Sequence, residues 1–119
     1  MWPLRLSRRQ AQGREWERAA LDYLKRHQLA RVEENFRCKG GEIDLIMRHG
    51  ATLVFVEVRQ RADRRHGGAA ASITPAKIRR LVCAAQVYLL RFPIIPPCRF
   101  DLVAIDGEHI EWLRNIIEV

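Results

Sequence analysis

The residues of this chain that could do chemistry together are carboxylates in two closely spaced apolar runs. Glu42 and Asp44 lie in Gly41-Glu42-Ile43-Asp44-Leu45-Ile46, and Glu57 lies in Phe55-Val56-Glu57-Val58-Arg59. His49-Gly50 between them reads as a two-residue hairpin turn. With that turn Asp44 stands opposite Phe55 and Glu42 opposite Glu57. Strand alternation then places Glu42, Asp44, Phe55, Glu57 and Arg59 on one face of the sheet, and Ile43, Leu45, Val54, Val56 and Val58 on the other. Asp44 and Glu57 become diagonal neighbours, about 7–8 Å apart at the backbone. Two side chains reaching across that gap can share one ion.

An acid inside a run as apolar as Leu53 to Val58 loses solvent, and clustered carboxylates repel unless protons or a cation intervene. A hard divalent ion answers this, Mg2+ in particular with Mn2+ as the alternative, because it takes one or two carboxylates and completes its shell with water and phosphate. Asp44 and Glu57 are the candidate metal ligands and Glu42 a supporting acid. The competing reading is a surface hairpin whose acids pair with Arg59 and Arg61.

The elements that must hold these acids can be read from periodicity. Apolar residues at Trp16, Ala20, Tyr23, Leu24 and His27 predict an amphipathic helix from Gly13 to about His27. Strands are predicted at Arg31 to Cys38, Glu42 to Arg48 and Ala51 to Arg59, the last apolar on both faces and so central in its sheet. Asp63 to Ala71 reads as a mobile loop. Thr74-Pro75 starts a second helix with the stripe Ile78, Leu81, Val82, Ala85, Tyr88 and Leu89, and prolines 93, 96 and 97 end it. Arg99 to Ile105 and His109 to Leu113 form a last hairpin around Asp106-Gly107. The order α-β-β-β-α-β-β describes an α/β domain with a mixed central sheet flanked by helices.

The 119 residues give one domain, 1–119, with residues 1–12 expected as a flexible basic leader. Lys and Arg exceed Asp and Glu by 21 to 14, for a formal charge of +7. Residues 1–14 carry +4 and residues 59–80 carry +6, so the rest of the chain sums to −3. An acidic body with two basic patches fits a polyanionic partner. Arg61, Arg64, Arg65, Lys77, Arg79 and Arg80 are therefore candidate nucleic-acid contacts. No apolar run approaches a membrane span. The twin arginines of Ser7-Arg8-Arg9-Gln10 are followed by charged residues rather than an apolar export segment. Cys38, Cys83 and Cys98, odd in number and widely spaced, predict reduced thiols and a cytoplasmic protein.

Several segments in order carry a resemblance: Gly13-Arg14-Glu15-Trp16-Glu17, Gly41-Glu42-Ile43-Asp44-Leu45-Ile46, Phe55-Val56-Glu57-Val58-Arg59-Gln60-Arg61, Thr74-Pro75-Ala76-Lys77 and Arg99-Phe100-Asp101-Leu102-Val103-Ala104. Together they resemble the YraN-like family, a bacterial family with a Holliday-junction-resolvase-like fold placed in the PD-(D/E)xK nuclease superfamily. The resemblance implies a restriction-endonuclease-like core, Asp44 and Glu57 as metal-binding acids and Glu17 as a helix-borne acid facing the site. It also sets residue 59 at the superfamily's Lys position, and here that residue is Arg. A guanidinium stays charged at physiological pH, so Arg59 can stabilise phosphate charge but cannot serve as a base. Lys77 is the candidate to supply an ammonium instead.

The expected protein is a Mg2+-dependent endonuclease acting on DNA phosphodiester bonds, branched DNA included, with Asp44, Glu57, Arg59, Glu17 and Lys77 as catalytic candidates. The alternative is a non-catalytic nucleic-acid-binding module that retains the nuclease fold. Oligomeric state is left open, a homodimer among the options.

Overall fold

The structure, a computed structural model, describes residues 7–61 and 67–117. Its elements are α1 (Arg8–Arg26), β1 (Ala30–Cys38), β2 (Gly41–His49), β3 (Thr52–Arg61), α2 (Pro75–Leu89), β4 (Cys98–Asp106) and β5 (His109–Leu113), with a 3-10 turn over Ala70–Ser72. The expected order α-β-β-β-α-β-β and the mixed α/β class are those observed. The strands form one sheet in the order β1-β2-β3-β4-β5. Every neighbouring pair is antiparallel except β3 and β4, which run parallel and are joined through α2.

Helix α1 begins at Arg8 rather than Gly13. Ser7 caps it: its hydroxyl accepts the Gln10 N–H, and the Gln10 side chain accepts the Ser7 N–H in return. Residues 8–12, expected in a flexible leader, thus form the first turns of α1, while residues 1–6 lie outside the described part. The start of α2 is as predicted, with Thr74 Oγ1 accepting the Lys77 N–H at 3.2 Å and Pro75 opening the helix.

The sheet is covered on both faces, giving three layers. Ala20, Leu21 and Leu24 of α1 pack on Leu45, Met47, Val54, Val56, Val103 and Ile105. Leu81, Ala84, Ala85 and Tyr88 of α2 pack on Ile43, Ile46, Leu53 and Phe55. Central β3 is buried from Leu53 to Val56, as its unbroken apolar run requires. His27, expected in the apolar stripe, instead caps the exposed end of α1, and Leu21 fills the core. Cys38, Cys83 and Cys98 are free thiols. Among the described residues no helix is long and apolar enough to cross a membrane.

One close contact sets where α2 lies. A Cβ on Gly41 would collide with the Arg80 backbone carbonyl, and one on Gly40 would meet the Cys83 Sγ. Two glycines at the start of β2 thus let the first turns of α2 press against the β1–β2 connection.

Candidate active site

The β2–β3 hairpin turns on Gly50 and Ala51, not on His49 and Gly50. Gly50 takes φ +61°, and the pairs run from His49 with Thr52 to Leu45 with Val56. This moves the register two residues from the expected one. One step beyond Leu45 and Val56, the same register sets Asp44 directly across from Glu57 rather than diagonal to it. The ladder stops there: β3 parts from β2 while remaining paired to β4 as far as Arg61 and Asp106. In this fork the Val58 N–H donates to Asp44 Oδ2 at 2.8 Å. Glu42 does not oppose Glu57; it pairs in register with Arg37 and forms an exposed ion pair with it at 3.5 Å.

The strict alternation expected along β2 also fails at this point. Ile43 packs with Ile46 and α2, while Leu45 and Met47 pack with α1. The neighbouring strand is irregular too: the β1–β2 register shifts between Arg31 and Glu33. Asn35, between the pairs Glu34–Leu45 and Phe36–Ile43 and so across from Asp44, has φ +55°, a left-handed conformation that Asn tolerates better than most residues. It lines one cleft with Glu17 of α1.

Asp44 is the hub of the acids: it raises both Glu57 and Glu17, and Glu42, for all its pairing with Arg37, adds to the repulsion on Asp44 and Glu57. Burial, and then the charge of Asp44, push Glu57 up from 4.5 to about 8, against the opposing pull of Arg59 and Lys77. Asp44 is raised to about 6, again chiefly by burial, with the Val58 N–H the strongest influence in the other direction. Glu17 is raised to about 7 by burial and by Asp44, while the Asn35 hydrogen bond and Arg14 act against this. Glu17, named by resemblance alone, therefore does lie in the field of Asp44.

Arg59 is fixed beside Glu57. Its Nη1 is 3.9 Å from Glu57 Oε1, and both side chains are largely enclosed, at 16% and 12% exposure. Its Nε donates to Ser72 Oγ at 2.9 Å, and the Ser72 hydroxyl donates to the Ala69 carbonyl at 2.6 Å. The Ala69 N–H in turn donates to Asp106 Oδ1 at 2.6 Å, tying this turn to the end of β4. Part of the segment expected as a mobile loop is thus an ordered 3-10 turn that holds Arg59. Neither Ser72 nor Asn35 stood out in the sequence; the only local signals were a serine three residues before Pro75 and an asparagine inside a strand.

Lys77 and Arg80 of α2 line a small pocket with Glu42 and Glu57. Arg79 is exposed and does not line that pocket, and Arg61 is exposed with its guanidinium on the Gln60 carbonyl. The competing reading paired the acids with both Arg59 and Arg61; only Arg59 meets Glu57 among the described residues. Arg64 and Arg65 lie outside the described residues.

Asp44 and Glu57 form an all-oxygen pair, the donor type that suits a hard divalent ion. Among the described residues no three His, Cys, Asp or Glu side chains gather as a metal cage. An ion held here would rely on two carboxylates, with water and phosphate as its remaining ligands.

A fully buried acid elsewhere serves the fold. Asp101 is fully enclosed and accepts hydrogen bonds from Arg99 Nε, Trp112 Nε1 and the Asn115 N–H, at 2.9–3.1 Å. With every lone-pair direction engaged it ties β5 and the following chain to β4.

Comparison with known proteins identifies the family. The model of Uncharacterised protein family UPF0102 matches residues 16–105. A UPF0102 protein of Herminiimonas arsenicoxydans is 58% identical over 110 residues, covering 92% of this chain and 89% of the relative. Another from Janthinobacterium sp. (strain Marseille) is 54% identical over 110 residues with the same coverage. One from Cupriavidus taiwanensis is 57% identical over 111 residues, 92% of this chain and 85% of the relative. The chain belongs to the UPF0102 family, the YraN-like family that its motifs resemble.

Proposed function

We propose that this protein is a metal-dependent endonuclease acting on DNA phosphodiester bonds, branched DNA among its substrates, as the PD-(D/E)xK resemblance implies. The observation that carries the reading is the opposed pair Asp44 and Glu57, two enclosed acids that share a fork in the sheet and repel each other. A divalent ion bound there would supply a Lewis acid for the phosphate and a lowered pKa for an attacking water. The chain's own residues supply the rest. Asp44 is oriented through Oδ2 by the Val58 N–H, which leaves Oδ1 for the ion. Arg59, held by Ser72, offers a fixed guanidinium to the charge that develops on the phosphate. Lys77 beside Glu57 supplies the ammonium that position 59 lacks, and Arg80 extends the positive wall for the backbone. Glu17 is the third acid, able to accept a proton near neutral pH.

One observation favours the non-catalytic module as the second reading: Arg59 cannot lose its proton. The test is incubation of the purified protein with linear and four-way-junction DNA in Mg2+ or Mn2+, alongside Glu57→Ala. The proposal expects cleavage that the substitution abolishes. Salt-sensitive binding without cleavage supports the second reading, and cleavage that survives Glu57→Ala overturns the site.

A further inference from the structure

A cleft opens between α1 and β1. It measures about 480 Å³, within the ordinary range of ligand sites, and is lined by Gln10, Gly13, Arg14, Glu17, Asn35 and Arg37. A neighbouring cleft of about 230 Å³ adds Arg18 and Glu34, the latter already paired with Arg31. Three guanidiniums and two side-chain amides face these spaces, a donor set suited to phosphate oxygens and base edges. Asn35 lines the cleft and stands across from Asp44 in the β1–β2 register, so the cleft opens beside the acids. Among the described residues Arg37 is held by its exposed pairing with Glu42, a contact of little net worth that a phosphate can displace.

Gly13 is the second observation. It sits inside α1, where glycine costs helix stability relative to alanine, yet a Cβ there would meet nothing within 4 Å. No packing within the described chain requires glycine at this position. What its missing side chain leaves is space on the wall of the cleft for an incoming backbone.

We propose that the α1–β1 cleft binds a DNA strand, gripping the phosphodiester backbone that flanks the acid pair on the α1 face while Lys77 and Arg80 grip it on the α2 face. The substrate then runs across the fork with backbone held on both sides of the reacting phosphate. This rests on the reading of Asp44 and Glu57 as a nuclease site, but its test does not require cleavage.

The experiment is fluorescence anisotropy of a labelled 30-base-pair duplex in EDTA over a series of salt concentrations. It compares wild type with Arg14→Ala/Arg37→Ala, Gly13→Leu, Lys77→Ala/Arg80→Ala and a charge-matched control, Lys25→Ala/Arg26→Ala. The control pair is exposed and begins about 16 Å further along α1. The proposal expects the Arg14/Arg37 variant to bind at least tenfold more weakly at 100 mM salt. Its log–log salt slope should be shallower by about 2, since each lost phosphate contact removes about 0.9. Gly13→Leu should lose affinity without a lower melting temperature, and the control should stay within twofold of wild type. If the Arg14/Arg37 variant and Gly13→Leu bind like the control while Lys77→Ala/Arg80→Ala weakens, the cleft proposal is overturned and the nuclease reading stands. Weakened binding in these variants of a protein that never cleaves DNA in Mg2+ upholds the cleft and overturns the nuclease reading. Wild type that binds no DNA overturns both.

Discussion

Replacing Glu57 with glutamine keeps the shape of the side chain and removes its charge. In the folded protein Glu57 ionises at about 8, against 4.5 when unfolded. Between those values the folded state holds a proton that the unfolded state has released, so this group favours folding fully below about pH 4.5 and progressively less as pH rises towards 8. At about 1.4 kcal/mol per unit, the window is worth at most about 5 kcal/mol. Asp44 and Glu57 titrate as a pair, so only part of that window belongs to Glu57, and the expected effect is on the order of 2–3 kcal/mol. Urea unfolding in EDTA at pH 5, 7 and 8.5 reads this directly. Glu57→Gln should exceed wild type by less than about 1 kcal/mol at pH 5 and by that full margin at pH 8.5. Added Mg2+ at ten times its dissociation constant should then stabilise wild type by about 1.4 kcal/mol and leave Glu57→Gln unchanged. A glutamine variant no more stable than wild type at pH 8.5 would refute the claim that Glu57 is an enclosed, repelled acid.

Ser72→Ala should release Arg59: by 15N NMR the Arg59 Nε–H should exchange slowly in wild type and fast in the variant, and any cleavage should fall while Ser72→Thr retains it. Gly41→Ala should destabilise by about 1–3 kcal/mol in denaturant titration, because the Arg80 carbonyl stands where the Cβ must go. Asn35→Val should cost on the order of 1–3 kcal/mol through its φ of +55°, and Asn35→Gly much less, as unfolding of the two variants would show. Phe55→Ala, at a fully buried side chain of the central strand, should cost about 3–5 kcal/mol by the same measurement.

The architecture was legible because its signals are local. Thr74-Pro75 marked a helix start, Leu53 to Val56 marked a strand covered on both faces, and both stand where expected. The pairing of Asp44 with Glu57 was legible as a neighbourhood but not as a register. His49-Gly50 and Gly50-Ala51 are equally good turn sequences, and a shift of two residues keeps every side chain on its face while changing what lies opposite. The position of Ile43 was not legible at all. It goes with an irregularity that extends to Asn35 in another strand, and no periodicity within β2 reports that. Ser72 escaped notice for a similar reason: its value lies in meeting an arginine 13 residues away, across a segment whose composition suggested only mobility. The capping box of Ser7 and Gln10 was visible in principle, but the net charge of its surroundings drew attention towards a leader.

The central claim is that Asp44 and Glu57 together hold a divalent ion in place of protons. Calorimetric titration of Mn2+ at pH 7, in two buffers of different ionisation enthalpy, measures the ion and the protons it displaces at once. With Glu57 protonated up to about pH 8 and Asp44 to about pH 6, the account predicts one site per chain and release of about one proton per ion. Binding should be lost in Asp44→Asn and in Glu57→Gln. Binding of undiminished strength in either variant, or binding with no proton released, would contradict it.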